Sequence, residues 1–488
     1  MDFFIVGRKQ ERLLLEQIYM RDDPDFLAVY GRRRVGKTFL LRNFFKNLPC
    51  TYFEVTGLKD GTLEEQIQRF LQKLKEAFLE EIPTPAPKTW IEAFQLLTAC
   101  IRKVHPREKI VLFFDELPWL AVPETKFIQA LDHFWNTEWQ TRKDLKLITC
   151  GSAASWMLEN LIHAKGGLHN RLTAVMSLKP FSLQETEEYL LHRNMKFNRR
   201  QILELYMAMG GIPHYLNAID KSLSPAQNIN RICFTKNGLL FTEFEDLFSS
   251  LFNDSPAHVE LVRLIARSRK GIEKKELLKE AKLSTSGGTF KERLAELEEA
   301  GFIASFVPYM RRKKGTFYRV IDEYTLFYLH WIEPVVSHLK MSLQDSHYWE
   351  SKMQSQAWKS WAGYAFEALC LKHIEQMKDA LGIRAIAAEI GGWRFRPKDK
   401  NEQGVQIDLL IDRADGIINL CEMKYWDGKF VITKNFAEEI QRKILVYKTQ
   451  MQPRKTILVT MVTPDGVLRN EYTVQVMSSE VTLNDLFS

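Results

Sequence analysis

Residues 31–38 read Gly-Arg-Arg-Arg-Val-Gly-Lys-Thr, the spacing G-x-x-x-x-G-K-T of a phosphate-binding loop. Glycines let the backbone turn tightly, so that successive N–H groups face one anion, and the helix that follows adds the positive end of its dipole. Lys37 can reach the β- and γ-phosphates of a nucleotide, and the Thr38 hydroxyl can ligate Mg²⁺. The nucleotide-binding set is Gly31, Arg32, Arg33, Arg34, Val35, Gly36, Lys37, Thr38 and Phe39, with ATP the implied ligand. A basic strand-to-helix turn punctuated by glycine is the bland alternative. The apolar run Phe26–Tyr30 before the loop and the helical pattern after it speak against that alternative.

The run VLFFDEL (111–117) is an apolar strand ending in two carboxylates. Asp115 would hold Mg²⁺ through water, and Glu116 would polarise the attacking water. Ser152 closes the apolar strand LKLITCGS (145–152) and could place a hydroxyl between the γ-phosphate and that water. Arg171 could act as a finger supplied to a neighbouring subunit, which implies a homo-oligomer. An ordinary strand-end serine and a solvated surface arginine remain the alternatives for these two.

A second constellation lies near the other end of the chain. VQIDLLID (405–412) and INLCEMKYW (418–426) are apolar strands joined by a short turn, and they carry Asp408, Glu422 and Lys424 in the pattern D-x₁₃-E-x-K. Period-two geometry puts Glu422 and Lys424 on one face, and Asp408 can join them if the strands pair. Two carboxylates on Mg²⁺ or Mn²⁺, with a lysine beside the attacking water, suit hydrolysis of a DNA phosphodiester. The alternative is a surface hairpin whose charges alternate for solubility. Against it, each carboxylate sits inside an otherwise apolar strand, where an unpaired charge is costly.

These residues need elements to hold them. Strands at 26–30, 51–55, 111–115, 145–152 and 173–181 alternate with helices, which predicts a parallel sheet covered on both faces. From Ser182 to about Asn237 the pattern is helical, as in a small lid. Three helical patterns between 255 and 300, then two strands over 302–322, give a winged-helix arrangement. Its third helix is net acidic beyond Lys291 and Arg293 and would repel phosphate, which leaves the turn Arg311-Arg312-Lys313-Lys314 as the better DNA contact. Polar residues 342–356 mark a boundary before a last α/β unit. The expected domains are 1–181 (ATPase core), 182–250 (helical lid), 251–340 (winged helix and connecting helix) and 341–488.

The chain has 488 residues, 45% hydrophobic and 26% charged, with net charge +7, which suits a globular protein and is compatible with a polyanionic partner. Six scattered cysteines without C-x-x-C pairs point away from a disulfide framework or zinc site. No apolar run approaches the ~18 residues of a membrane span, so no membrane partner and a cytoplasmic setting are expected.

FIVGRKQE (4–11), GRRRVGKT (31–38), LFFDE (112–116), CGS (150–152), NRL (170–172) and GGIP (210–213) together resemble the archaeal-type ATPases, a branch of the AAA+/STAND P-loop superfamily. That resemblance implies Gly7 and Arg8 beside the adenine and Pro213 in a lid near the nucleotide. The D-x₁₃-E-x-K pattern resembles the PD-(D/E)xK nuclease superfamily. It implies that Glu367, on the preceding helix, is an acidic site residue and Gln441, on the following helix, an accessory polar one. The proline this family nominally places before the aspartate is missing, since Gln406-Ile407 stand there. The implied fold is α/β: a P-loop parallel sheet with helical lid, a winged helix, and a restriction-endonuclease-like domain. The implied function is an ATP-hydrolysing switch coupled to a metal-dependent DNA endonuclease, or an ATP-controlled DNA- or protein-binding regulator with a non-cleaving C-terminal domain.

Overall fold

The computed structural model describes residues 5–79, 86–163, 170–252, 254–281, 287–309, 315–341, 347–395 and 404–488. The basic turn 311–314 therefore lies outside the described residues. The chain divides into two compact units, Met1–Pro180 and Phe181–Ser488.

In the first unit five strands form one parallel sheet: β1 (Asp25–Tyr30), β2 (Cys50–Thr56), β3 (Lys109–Asp115), β4 (Leu145–Gly151) and β5 (Ala174–Ser177), in the order β2-β3-β4-β1-β5. β3 and β4 are buried almost throughout, as a sheet covered by helices on both faces requires. The helix Leu63–Phe78 starts on a capping box between Thr62 and Glu65, which satisfies two orphan backbone donors. One face of the sheet packs on an aromatic core centred on Phe94, whose ring meets Phe70, Trp90, Phe114, Phe127 and Trp139 at 5.4–5.9 Å. The parallel register sets Tyr30 beside Gly151 and Phe114 beside Thr149. The chain therefore leaves β1, β3 and β4 along one edge of the sheet, where α/β folds place ligands.

The second unit opens with helices Leu183–His192, Arg199–Met209, Pro225–Cys233 and Glu243–Leu251. Helices Ser255–Ala266, Lys274–Glu280 and Gly287–Glu299 follow, with a small antiparallel sheet of β6 (Ile272–Glu273), β7 (Ile303–Phe306) and β8 (Phe317–Val320), ordered β6-β8-β7. The remaining strands are β9 (Ala388–Phe395), β10 (Val405–Arg413), β11 (Ile417–Met423), β12 (Phe430–Val431), β13 (Thr456–Thr463), β14 (Val467–Leu468) and β15 (Ser479–Thr482). They make a mixed five-stranded sheet, β15-β13-β11-β10-β9, and a separate β12-β14 pair. The boundary expected at 340/341 lies inside an aromatic cluster. Trp349 stacks on Phe234 at 5.5 Å, meets Trp331 and Trp358 edge-on, and donates its backbone N–H to Asn230 Oδ1 at 2.9 Å.

At the edge of the first sheet opposite the loop ends, Lys146 on β4 is wholly buried and pairs with Asp25 at 2.8 Å. Its ammonium also donates to the carbonyls of Arg21 and Asp23, and Thr173 Oγ1 donates to Asp25 at 2.9 Å. Asp25→Ala leaves that ammonium uncompensated and should cost about 3–5 kcal/mol, read by urea denaturation of the purified protein. A loss below about 1 kcal/mol would mean that water reaches the lysine.

Candidate functional site

The phosphate loop leaves β1 at Gly31, where φ is 148° and an added Cβ would lie 2.2 Å from the Leu178 carbonyl oxygen. Gly36, with φ 93°, precedes the helix Lys37–Phe45, and the space over it is open to 4 Å. Both positions need glycine, the first for close approach and the second for its left-handed backbone. Lys37 is buried and its ammonium bridges the loop, donating to the carbonyls of Gly31 at 2.9 Å and Arg32 at 3.1 Å. Arg33 and Arg34 are half-buried, Val35 is buried and Phe39 is exposed. Arg8, buried and left-handed at φ 56°, donates to Val35 O at 3.0 Å and Lys179 O at 2.7 Å. The resemblance set Gly7 and Arg8 beside an adenine; here the Arg8 guanidinium ties the loop to the segment after β5.

Asp115 ends β3 against Thr38, whose hydroxyl donates to both carboxylate oxygens at 3.0 and 3.1 Å. Burial first, and then Glu116, pushes the Asp115 pKa up. Neutral donors surround this carboxylate, so a cation bridging Thr38 and Asp115 would supply the missing compensation, and the pair fits Mg²⁺. Glu116 has a left-handed backbone at φ 47°, which turns its side chain toward β4. There its Oε2 accepts from Ser152 N at 3.1 Å and Ser152 Oγ at 2.9 Å. That pairing of Glu116 with Ser152 was not foreseen from the sequence.

Arg171 is exposed, three residues ahead of β5. Since Ser177, not Ala174, pairs with Tyr30, Arg171 lies at the edge of the sheet opposite the loop. It cannot serve the nucleotide of its own chain. Pro213 opens the short helix Pro213–Leu216 in the second unit. Before it, Gly210 ends the helix Arg199–Met209, and Gly211 packs so closely on the Phe181 backbone that a Cβ would lie 1.9 Å from its carbonyl oxygen.

In the second unit the D-x₁₃-E-x-K residues come together. β10 and β11 pair antiparallel with Leu409 opposite Cys421, which sets Asp408 opposite Glu422 just past the ladder. β10 shifts register against β9 between Ile407 and Leu410, a bulge of the sort that re-aims a side chain. Asp408 accepts a hydrogen bond from Gln406 Nε2 at 3.3 Å, and burial, then Glu422, pushes its pKa up. Glu367, on the helix Gln356–Lys372, is pushed up to about 8 by burial and then by Asp408. Lys424 would lose its proton more easily through burial, but the Glu422 carboxylate outweighs this and its pKa is raised.

Glu422 itself is 1% exposed and fully engaged. Its Oε1 accepts from Lys424 at 2.7 Å and Lys443 at 2.9 Å, and its Oε2 accepts from Lys443 at 2.8 Å. Here the sequence reading is corrected. Gln441 is exposed, while Lys443, on the same helix Lys434–Met451, is buried and reaches the carboxylate. Two residues are 200° of helix, so the two side chains leave on opposite sides. With both Glu422 oxygens held by ammonium groups, this donor set does not fit a divalent ion as arranged. Among the described residues no group of three His, Cys, Asp or Glu side chains is disposed to hold a metal. Of these residues, Glu367 and Lys424 line a cleft of about 370 Å³.

Comparison with known proteins bears on the first of these sites. Residues 5–219 match a family described as an ATPase domain predominantly from Archaea. An uncharacterised protein of Methanocaldococcus jannaschii is 24% identical over 444 residues, covering 90% of this chain and 91% of its own. Among solved structures, the Walker-type ATPase of Pyrococcus abyssi aligns with TM-score 0.47 and 19% identity, over 67% of this chain and 96% of that one. The ORC2 protein of Aeropyrum pernix, in ADPNP and ADP complexes, gives 0.43 and 13%, over 70% and 98%. The family match and the loop geometry together make the N-terminal part of the chain a P-loop ATPase that binds ATP. No helix among the described residues is long and apolar enough to cross a membrane.

Because folded Glu367 holds its proton up to about pH 8, against an ordinary value of 4.5, the folded state binds the extra proton between those values. Stability should therefore fall as pH rises from 4.5 to 8 and level off above. Glu367→Gln should flatten that decline. The check is Tm against pH for both proteins; parallel curves would mean the carboxyl is ionised throughout.

Proposed function

We propose that this protein is an ATP-hydrolysing switch whose second unit acts on nucleic acid at the Asp408–Glu422–Lys424 centre. One observation carries the second half of this reading. Asp408, Glu422 and Lys424 of two paired strands and Glu367 of the preceding helix lie close enough to perturb one another's charge, with Glu367 and Lys424 lining the cleft, and each is costly to bury. A hairpin decorated for solubility would leave them in water.

At the ATPase site, Lys37 exchanges its two loop carbonyls for the β- and γ-phosphates, while the loop N–H groups hold the β-phosphate. Thr38 and Asp115 would hold Mg²⁺, and the ion would supply neutralisation of phosphate charge. Ser152 holds Glu116 away from the phosphates at rest. Releasing the carboxylate lets it orient and accept the proton of the attacking water. Arg171, out of reach of its own loop, serves a neighbouring copy in a homo-oligomer. The three helices and three strands of residues 255–320 are read as a winged helix, and 341–488 as a nuclease-like domain. In the second unit Lys424 is placed to orient a water against a scissile phosphate, and Glu422 fixes Lys424. A second reading, an ATP-controlled binding regulator that does not cut, draws support from Lys443, which occupies Glu422 on both oxygens.

Glu116→Gln should lower kcat for ATP hydrolysis by roughly 10²–10⁴-fold while ATP binding persists, measured by phosphate release and nucleotide titration. Unchanged turnover would remove Glu116 from the mechanism. Incubation with plasmid, ATP and Mg²⁺ decides between the two readings of the second unit. Nicking that disappears in Glu422→Ala supports cleavage. ATP-dependent DNA retention without nicking supports the regulator. Nicking that survives Glu422→Ala would sink the proposed centre.

A further inference from the structure

The walls of the C-terminal cleft carry an arrangement that hydrolysis does not require. Lys359, Ser360, Gly363, Tyr364 and Glu367 all line it, at i, i+1, i+4, i+5 and i+8 of the helix Gln356–Lys372, which is one helical face. A glycine in a helix interior costs roughly 1 kcal/mol relative to alanine, so its presence wants a reason. Packing supplies none: a Cβ built on Gly363 would meet nothing within 4 Å. The space over the glycine belongs to the cleft, and the missing side chain exposes the helix backbone to whatever enters.

Facing this helix are Arg269 and Lys270, from the turn between helix Ser255–Ala266 and β6. Arg269 donates to Ser360 Oγ at 3.3 Å, and its guanidinium stands 5.6 Å from the Tyr364 ring, so it is oriented across the opening. Arg269, Lys270 and Lys359 are exposed at the rim, while Glu367, Gln406 and Lys424 lie half-buried below. The Gln406 Oε1 atom is buried and meets no donor among the described residues. A cationic rim, an opened helix backbone and an unused polar atom beneath them describe a receptor for a polyanion.

We propose that this cleft binds the sugar-phosphate backbone of a nucleic-acid strand, which lies against Gly363 while Arg269, Lys270 and Lys359 neutralise its phosphates. The inference rests on the reading of the Asp408–Glu422–Lys424 centre as one that acts on nucleic acid. It also names the part of the three-helix module that touches the strand. The module's third helix carries Glu292, Glu296, Glu298 and Glu299 and would repel phosphate, whereas its 269–270 turn meets the strand at the cleft.

The test is anisotropy of labelled single-stranded DNA, duplex DNA and single-stranded RNA on the full chain in EDTA, so that binding is read without cleavage. Gly363→Leu should weaken binding roughly tenfold or more while Tm holds or rises, because leucine favours the helix. Arg269→Ala and Lys359→Ala should each reduce the slope of log K against log salt by about 0.7–0.9, a readout that stands even if the leucine variant misfolds. The nucleic acid held most tightly by the wild type identifies the strand. Unchanged affinity in a folded Gly363→Leu protein, unchanged salt slopes, or no binding of any of the three would overturn the proposal. Loss of binding in these variants from a wild type that never nicks plasmid would leave the channel standing and defeat only the cleavage reading.

Discussion

A carboxylate built into the interior of a β-sheet has to be compensated where it stands, and how each one is compensated separates scaffold from site in this protein. Asp25 meets a buried ammonium, that of Lys146, together with the Thr173 hydroxyl. Nothing is left for a ligand to do, and the pair pins β1 to β4 at the edge of the sheet away from the loop. Asp115, near the other edge, receives hydroxyl groups instead. Burial and the neighbouring Glu116 carboxylate raise its pKa. The same residue type, at opposite ends of one sheet, is thus compensated by a fixed cation in one place and by hydroxyl groups in the other.

The second unit shows both treatments within a few ångströms. Glu422 is satisfied by two lysines, while burial raises the pKa of both Asp408 and Glu367, helped by Glu422 for the first and by Asp408 for the second. The cluster balances its charge without a divalent ion. An ion that entered would have to displace Lys443 from Glu422, so metal affinity at this centre is set by a competition between an ion and an ammonium.

How much of this could be read from the chain depended on the range of the interaction. The loop 31–38, its flanking strand and helix, and the apolar strands ending at Asp115 and Ser152 are local patterns with a fixed period, and the sequence showed them. Asp408 and Glu422 stood out because a charge in an apolar strand breaks the pattern. Lys443 left the same kind of signal. It interrupts the apolar stripe Ala437, Ile440, Ile444, Tyr447 on its helix, all of them buried or half-buried, and marks the inward side that Gln441 does not share. The contact between Glu116 and Ser152 needed the β3–β4 register and a left-handed residue at 116, neither visible in letters. Arg269 and Lys270 reach the cleft from a turn about ninety residues ahead of the helix they face, and the Trp349 cluster joins segments that composition separated. Such long-range pairings come from packing and leave no periodic trace.

The same packing joins part of the ATPase-family match to the second unit. The match to archaeal ATPase domains runs to residue 219, past the division at Pro180–Phe181. The last helices of that match therefore belong to the unit that contains the cleft. One of them, Arg199–Met209, is bonded to the segments that follow β11 and β13. The Arg200 guanidinium lies 4.3 Å from the Tyr425 ring, donates to Trp426 O at 2.8 Å and pairs with Asp465 at 3.1 Å. Tyr425 lines the cleft next to Lys424. Nearby, Lys372 at the end of the cleft helix pairs with Glu323 at 2.7 Å, and an added Cβ at Gly210 would come within 3.0 Å of that same Glu323 carboxylate. A displacement of residues 199–213 by even an ångström has to be taken up by Tyr425 and Glu323, because close-packed contacts transmit strain rather than absorb it. Helices within the family match thus pack against the residues that frame the cleft.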